Sequence, residues 1–282
     1  MKGLLALDID GTITIDHHAI SPTVIAFFTS LKNENWQFMF VTGRPFPWGY
    51  SVLRHLNFPY YFAVQNGATI LAMPSREILL KKYLNKQILP TMEEICQGEA
   101  SDFVVYGGYE FGDRCFFRPE HFDPPLLSYL KKRCSTLGET WEPLQSFEDL
   151  PLSEFSSVKC FGDFSSAQRI GKKIEQKLGL HIPIIRDPFD ARYYVAQATH
   201  PLVHKGQAVK DIKALLEING PVIAAGDDYN DCPMLEIADF KVVMATAPRE
   251  MLSTADVVAP PAAEEGIIQG LKEAINKVKG LL

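Results

Sequence analysis

The chain is predicted to fold as an α/β protein: a parallel sheet core with helices on both faces, interrupted by an inserted α+β lobe. Two observations carry the core. Short apolar runs near both ends of the chain are continuous rather than alternating, as strands covered on both faces require. Helical stretches separate them, and this βαβ rhythm implies parallel strands joined by right-handed crossovers. A third observation carries the lobe. Between about residues 83 and 198 the texture changes to shorter strand-like pieces divided by turns. The expected division is a core of residues 1–82 and 199–282, with an inserted domain of 83–198.

The elements justify this in order. "LLALDIDGT" opens as a buried strand and runs into Asp8 and Asp10. In "SPTVIAFFTSL", Ser21 is an N-cap and Pro22 sits at the first helical position, with Val24, Phe27, Phe28 and Leu31 on one apolar face. "WQFMFVTGR" and "YYFAVQNGA" supply the next two strands. In the insertion, "DFVVYGG", "RCFFRP", "SVKCFGD", "HIPIIRD" and "RYYVAQAT" read as strands. "PPLLSYLKKRC" and the stretch from about Ala167 to Leu178, with Ile170, Ile174 and Leu178 in register, read as helices. The last third resumes the first rhythm. "KGQAVKDIKALLEING" is a helix with Ala208, Ile212 and Leu215 on one face and Asn219-Gly220 as its stop. "PVIAAGDD", "KVVMATA" and "DVVAP" are strands, and the terminal helix places Ile268, Leu271, Ile275 and Val278 on one face.

Bulk properties narrow the function. The 282 residues, 46% hydrophobic and 22% charged, are ordinary for a folded protein with a large core. A net charge of −6 argues against a nucleic-acid or anionic-membrane surface. Apolar runs fall far short of a spanning helix, and the stretch before Asp8 is too short for a signal peptide. The five cysteines are scattered without a C-x-x-C pair, which suits reduced thiols in a cytoplasmic protein better than a zinc site or a disulfide framework.

Polar residues gather at the carboxyl ends of the predicted strands: Asp8 and Asp10; Thr42, Gly43 and Arg44; Asn66 and Gly67; then Gly226, Asp227, Asp228, Asn230 and Asp231. That edge is where an open α/β sheet places its ligand crevice. Any one of these residues alone reads as a turn residue; their convergence at strand ends makes a site. Asp8 and Asp10, two apart along an extended chain, point to the same side. With Asp227, Asp228 and Asp231 on neighbouring loops, five carboxylates would repel strongly unless a cation compensates them. Oxygen-only ligands with room for waters favour Mg²⁺ over Ca²⁺.

"DIDGT", "VTGR", "HKGQA" and "GDDYND", in this order, resemble the four motifs of the haloacid dehalogenase superfamily of phosphatases and phosphotransferases. "QNGA" followed by the inserted lobe is similar to its Cof-like branch, which carries a C2-type cap on a Rossmann-like core. The resemblance covers essentially the whole chain. It implies that Asp8 is the nucleophile forming an aspartyl-phosphate and that Asp10 is the general acid and then base. Gly11 would let the backbone turn closely around the phosphate, with Thr12 supporting the turn. Thr42 would donate its hydroxyl to a phosphoryl oxygen, with Gly43 and Arg44 beside it, and Asn230 would also touch phosphate. Lys205 would supply fixed positive charge on the transferring group. Mg²⁺ would be held by Asp8, the main-chain carbonyl of Asp10 and Asp227, with Asp231 orienting the metal's waters or Lys205.

The implied activity is a Mg²⁺-dependent phosphatase for a small organic phosphomonoester: a sugar phosphate, nucleotide or phosphorylated cofactor. Alternatives are a phosphotransferase or mutase using the same aspartyl-phosphate, or a non-catalytic phosphoester-binding module; intact Asp8, Asp10, Thr42, Lys205 and Asp227 speak against the last. Asp228 could face the site or solvent, and Arg44 could reach substrate or pair with a carboxylate. His204 and the His17-His18 pair read as loop residues. In the lobe, Arg186, Asp187, Arg192 and Tyr193 are candidates for substrate selectivity, against surface or lobe-core roles. Oligomeric state is not legible.

Overall fold

The computed structural model describes residues 3–281 apart from 17, 181 and 188, so His17 lies outside the described residues. Two compact units emerge, Met1–Lys81 with Val203–Leu282, and Lys82–Leu202. The first half of the core unit contains β1 (Gly3–Leu7), α1 (Pro22–Asn33), β2 (Trp36–Val41), α2 (Phe46–Leu53), β3 (Tyr60–Val64), β4 (Thr69–Met73) and β5 (Glu77–Lys81). The second unit contains β6 (Leu84–Asn85), α3 (Leu89–Cys96), β7 (Phe103–Tyr106), β8 (Cys115–Phe117), α4 (Pro124–Leu137), β9 (Trp141–Pro143), β10 (Glu154–Phe155), β11 (Ser157–Gly162), α5 (Phe164–Leu178), β12 (Ile184–Arg186) and β13 (Tyr194–Thr199). The core unit then resumes with α6 (Lys205–Leu215), β14 (Val222–Gly226), α7 (Cys232–Glu236), β15 (Phe240–Met244), α8 (Arg249–Leu252), β16 (Val257–Ala259) and α9 (Ile267–Leu281). Among the described residues, no helix is long and apolar enough to cross a membrane.

The core sheet runs β16-β15-β14-β1-β2-β3-β4-β5, parallel from β16 to β3 and antiparallel beyond. Successive strand side chains alternate between faces. Leu4, Ala6, Met39, Val41 and Ala224 therefore pack with Ala208, Val209, Ile212 and Met234 from α6 and α7. On the opposite face Phe28 of α1 lies 5.2 Å from Phe38 and 6.0 Å from Phe40, ring centre to ring centre. Phe46 of α2 lies 5.9 Å from Phe62. Strands β1 and β14 are buried along their whole lengths, and Asp10 and Asp227, past their carboxyl ends, are partly exposed.

Ser21 caps α1 as predicted, its hydroxyl accepting from Val24 N at 3.2 Å. Two helices differ from expectation at one end. The α6 helix ends at Leu215, well before Asn219-Gly220, because the chain enters a left-handed conformation at Glu217 (φ +49°). Leu216 then packs against the core and Leu215 is left 48% exposed. In α9, Leu271, Ile275 and Val278 are buried as expected, and Ile267 rather than the half-buried Ile268 completes that face at its amino end.

The second unit is built on the sheet β12-β13-β11-β7-β8-β9, antiparallel except where β8 meets β9. One face packs Phe103, Val105, Val158 and Cys160 against Met92 and Ile95 of α3 and Ile170 and Ile174 of α5. The other packs Val104, Tyr106 and Phe161 against Leu126 and Leu130 of α4. Asp187 and Tyr193 serve this packing. Asp187 accepts from Tyr129 Oη at 2.5 Å and Arg133 Nε at 3.1 Å, while Tyr193 stacks on Tyr129 at 4.4 Å. Arg192 pairs with Asp190 at 2.6 Å, and Arg186 is exposed on β12.

Candidate active site

Strand β1 delivers Asp8 by continuing its ladder one step past Leu7: Asp8 N donates to Ala225 O at 3.0 Å. The chain then closes a tight turn, with Ile13 N donating to Ile9 O and Gly11 N to Thr14 O. Gly11 has φ +72°, and a Cβ there would stand 2.1 Å from Asp227 Oδ2. What this glycine admits is therefore the neighbouring carboxylate of the β14 loop. Thr12 joins the same contact, its hydroxyl donating to Asp227 Oδ1 at 3.3 Å.

At the end of β2, Thr42 Oγ1 accepts from Arg44 N at 3.1 Å. A hydroxyl that accepts in this way retains its own proton for donation. Arg44 grips Asp10 with two nitrogens, Nε to Oδ2 at 2.8 Å and a terminal nitrogen to Oδ1. Of the two roles open to Arg44 from sequence, the structure shows the carboxylate pair.

The β14 loop folds back on itself through Asp231. Its Oδ2 accepts from the backbone N–H groups of Asp227 at 3.0 Å and Asp228 at 3.2 Å. Its Oδ1 accepts from Lys205 Nζ at 2.6 Å, and Lys205 also donates to Asp8 Oδ1 at 2.5 Å. Glycines make these approaches possible: a Cβ on Gly226 would lie 2.5 Å from Asp231 Cβ, and one on Gly206 would lie 2.2 Å from Pro233 O. Lys205 thus begins α6 with its ammonium buried between two carboxylates. His204 caps the same helix, its Nδ1 accepting from Gln207 N at 3.1 Å.

Asp8, Asp10, Gly11, Thr42, Gly43, Arg44, Lys205, Asp227, Asp228 and Asn230 line one cavity of about 350 Å³, together with Trp48. Asp231 sits behind them, fully buried. Trp48 is the lining residue that sequence reasoning missed. It lies in "RPFPWGY", a segment without helical periodicity strong enough to mark α2, and its place in the cavity follows from how that helix packs.

Carboxylate oxygens of Asp8, Asp227 and Asp231 come within 4.8 Å of one another. Burial pushes the Asp8 carboxyl up to about 8; Lys205 opposes the rise, while Asp231 and Asp227 add to it. Asp227 rises to about 6, by burial and then by the charges of Asp231 and Asp228. Burial by itself would lower the Lys205 ammonium, but Asp8 and Asp231 outweigh it and hold it above its ordinary value. One ammonium does not neutralise this cluster. Both Asp231 oxygens are engaged by Lys205 and the backbone, so Asp8 and Asp227 are the carboxylates placed to share a further cation. Such an oxygen donor set fits a hard divalent ion.

The chain is similar to known proteins over nearly its full length. The profile described as haloacid dehalogenase-like hydrolase matches residues 5–271. The Bacillus subtilis (strain 168) protein "Putative phosphatase YxeH" is 24% identical over 298 aligned positions, 98% of this chain and 99% of that one. The "HMP-PP phosphatase" of Cronobacter sakazakii is 23% identical, covering 90% of this chain and 88% of its own. A haloacid dehalogenase-like hydrolase from Bacteroides thetaiotaomicron shares the fold at a TM-score of 0.76 and 20% identity, covering 97% of this chain and 99% of that one. With four motifs meeting at one sheet edge and a profile spanning nearly its full length, the chain belongs to the haloacid dehalogenase-like hydrolases.

Proposed function

We propose that this hydrolase is a Mg²⁺-dependent phosphatase that cleaves a small organic phosphomonoester through an aspartyl-phosphate on Asp8. The observation that carries the reading is Asp8 itself: a buried carboxylate bonded to Lys205, opening onto a cavity that Asp10, Thr42 and Asp227 also line. Asp8 and Asp227, with the main-chain carbonyl of Asp10, would hold the Mg²⁺. When bound, that ion supplies charge neutralisation for the carboxylates and the phosphoryl oxygens.

The chain's own residues supply the rest. A carboxylate is a weak nucleophile, so its advantage lies in being held in line with phosphorus rather than in basicity. An Asp8 oxygen attacks phosphorus while the bond to the leaving oxygen breaks. Asp10 protonates that oxygen and afterwards takes a proton from the water that cleaves the acyl-phosphate. Lys205 places its charge on the transferring group, and the Thr42 hydroxyl donates to a phosphoryl oxygen. Asp231 keeps Lys205 and the β14 loop in place through the three bonds it accepts.

The test is hydrolysis of 4-nitrophenyl phosphate by wild type and by Asp8→Asn, with Mg²⁺ and with chelator. Turnover that requires both the metal and Asp8, with phosphate trapped on Asp8 after an acid quench, is expected. Wild-type turnover that survives chelation or the Asp8→Asn change would overturn the proposal.

A further inference from the structure

We infer that Trp48 is a positioning residue that holds Arg44, and through it Asp10, in place for proton transfer. This inference rests on the phosphatase reading above and deepens it. Asp10 is the loosely enclosed acid of the site: its side chain is 46% exposed, against 3% for Arg44. A half-exposed carboxylate on a turn has several rotamers open to it. Here each of its oxygens accepts one hydrogen bond from a single guanidinium, whose planar fork matches a carboxylate in one orientation, and a second lone pair on each oxygen stays open to the proton that is transferred. The orientation of Asp10 is then as definite as that of Arg44.

Arg44 is in turn held by Trp48. Its guanidinium carbon lies 4.2 Å from the indole centre, and a terminal nitrogen donates to the Trp48 carbonyl at 3.4 Å. Stacking on an aromatic face fixes the plane of a guanidinium. The platform beneath is closely packed. Gly49, next to Trp48, allows α2 so close to β3 that a Cβ would stand 2.7 Å from the Phe62 ring and 3.3 Å from Thr42 Cγ2. Phe46 is buried, 5.9 Å from Phe62, and stacks on Tyr50 at 5.2 Å. The chain of support therefore runs from the β3 core through α2 and the indole to Arg44 and Asp10.

A residue that acts through the general acid leaves a trace distinct from that of one that only shapes the cavity. Expelling a nitrophenolate needs little protonation, whereas expelling an unsubstituted phenolate depends on it. The parameter kcat/KM covers the reaction only through phosphoryl transfer to Asp8, so later hydrolysis of the acyl-phosphate does not enter it. The experiment measures kcat/KM for phenyl phosphate and 4-nitrophenyl phosphate in Mg²⁺, for wild type, Trp48→Leu and Trp48→Phe. In Trp48→Leu we expect a loss of roughly tenfold on phenyl phosphate, part of the 10²–10⁴-fold that general acid–base catalysis contributes, and a much smaller loss on 4-nitrophenyl phosphate. Trp48→Phe, which restores an aromatic face, should recover most of it. Equal losses on both substrates, or no loss on either, would overturn the role. Failure of the phosphatase reading shows differently: wild type would turn over neither ester in a manner dependent on Mg²⁺ and Asp8, and the inference would fall with it.

Discussion

Replacing Lys205 by alanine would leave Asp8 and Asp231 buried together without the cation they share. Removing one partner of a buried ion pair costs about 3–5 kcal/mol, because the remaining charge has neither solvent nor partner. Lys205→Ala is therefore expected to lower the denaturation midpoint clearly and to remove turnover. Mg²⁺ binding, proposed to fall to Asp8 and Asp227, should persist. Urea titration and calorimetric Mg²⁺ titration check the two halves separately, and a near-normal rate would show that Lys205 does not act on phosphate. At this scale the sequence was informative wherever chemistry is encoded by neighbours. Asp8 and Asp10 are two residues apart, and both line the one cavity. It was silent where a role arises from folding back. That both Asp231 oxygens are spent on Lys205 and the β14 loop, or that Gly11 makes room for Asp227, follows from loops distant in sequence meeting at one sheet edge.

Among the elements, those with a start signal and a clear period were legible. Ser21-Pro22 and the spacing of Val24, Phe28 and Leu31 define α1. The β4–β5 hairpin was missed because nothing in the apolar pattern distinguishes an antiparallel edge from the parallel strands before it. The end of α6 was misplaced because a non-glycine residue, Glu217, takes the left-handed conformation usually left to glycine. In the second unit, α3 and α5 are joined by charges that make a pH-dependent clamp. Glu99, just past α3, accepts from Arg169 at 2.6 Å and Lys173 at 2.8 Å, both on α5. The hydrogen bond from Arg169, and then that from Lys173, hold its carboxyl down to about 2 against the opposing effect of burial. A carboxyl depressed in the folded state adds stability above its unfolded pKa and loses it as pH falls through the folded one. The contribution of Glu99 should thus be complete above about pH 4.5 and vanish towards pH 2. Glu99→Gln is expected to destabilise the protein modestly at neutral pH, the basic partners being half-exposed and screened, and to leave stability near pH 2 unchanged. Thermal unfolding followed at both pH values checks this; an equal loss at pH 2 would show that the clamp works through packing instead.

For the whole molecule, the break in rhythm near residue 83 has a physical counterpart in two separate hydrophobic cores. The buried set around β7, β11 and β13 draws on α3 and α5, while that around β1, β2 and β14 draws on α6 and α7. Domains with their own cores open as separate cooperative units, so one global unfolding energy is not expected to describe both. Phe103 offers a direct probe. It is fully buried in the second unit and stacks on Phe147 at 4.3 Å. Phe103→Ala should cost about 3–5 kcal/mol, the usual range for emptying an aromatic site in a core. Because every neighbour in that cluster belongs to the second unit, amide hydrogen exchange should speed up in β7, β11 and β13. Amides of β1 and β14, which carry Asp8 and Asp227 at their carboxyl ends, should retain their protection. Mg²⁺ affinity should likewise be unchanged, since the carboxylates assigned to the metal are held by the other core. Equal acceleration in β1 and β14 would show that the two cores unfold as one, and that the stability of the strands carrying Asp8 and Asp227 is set by the inserted unit as much as by their own sheet.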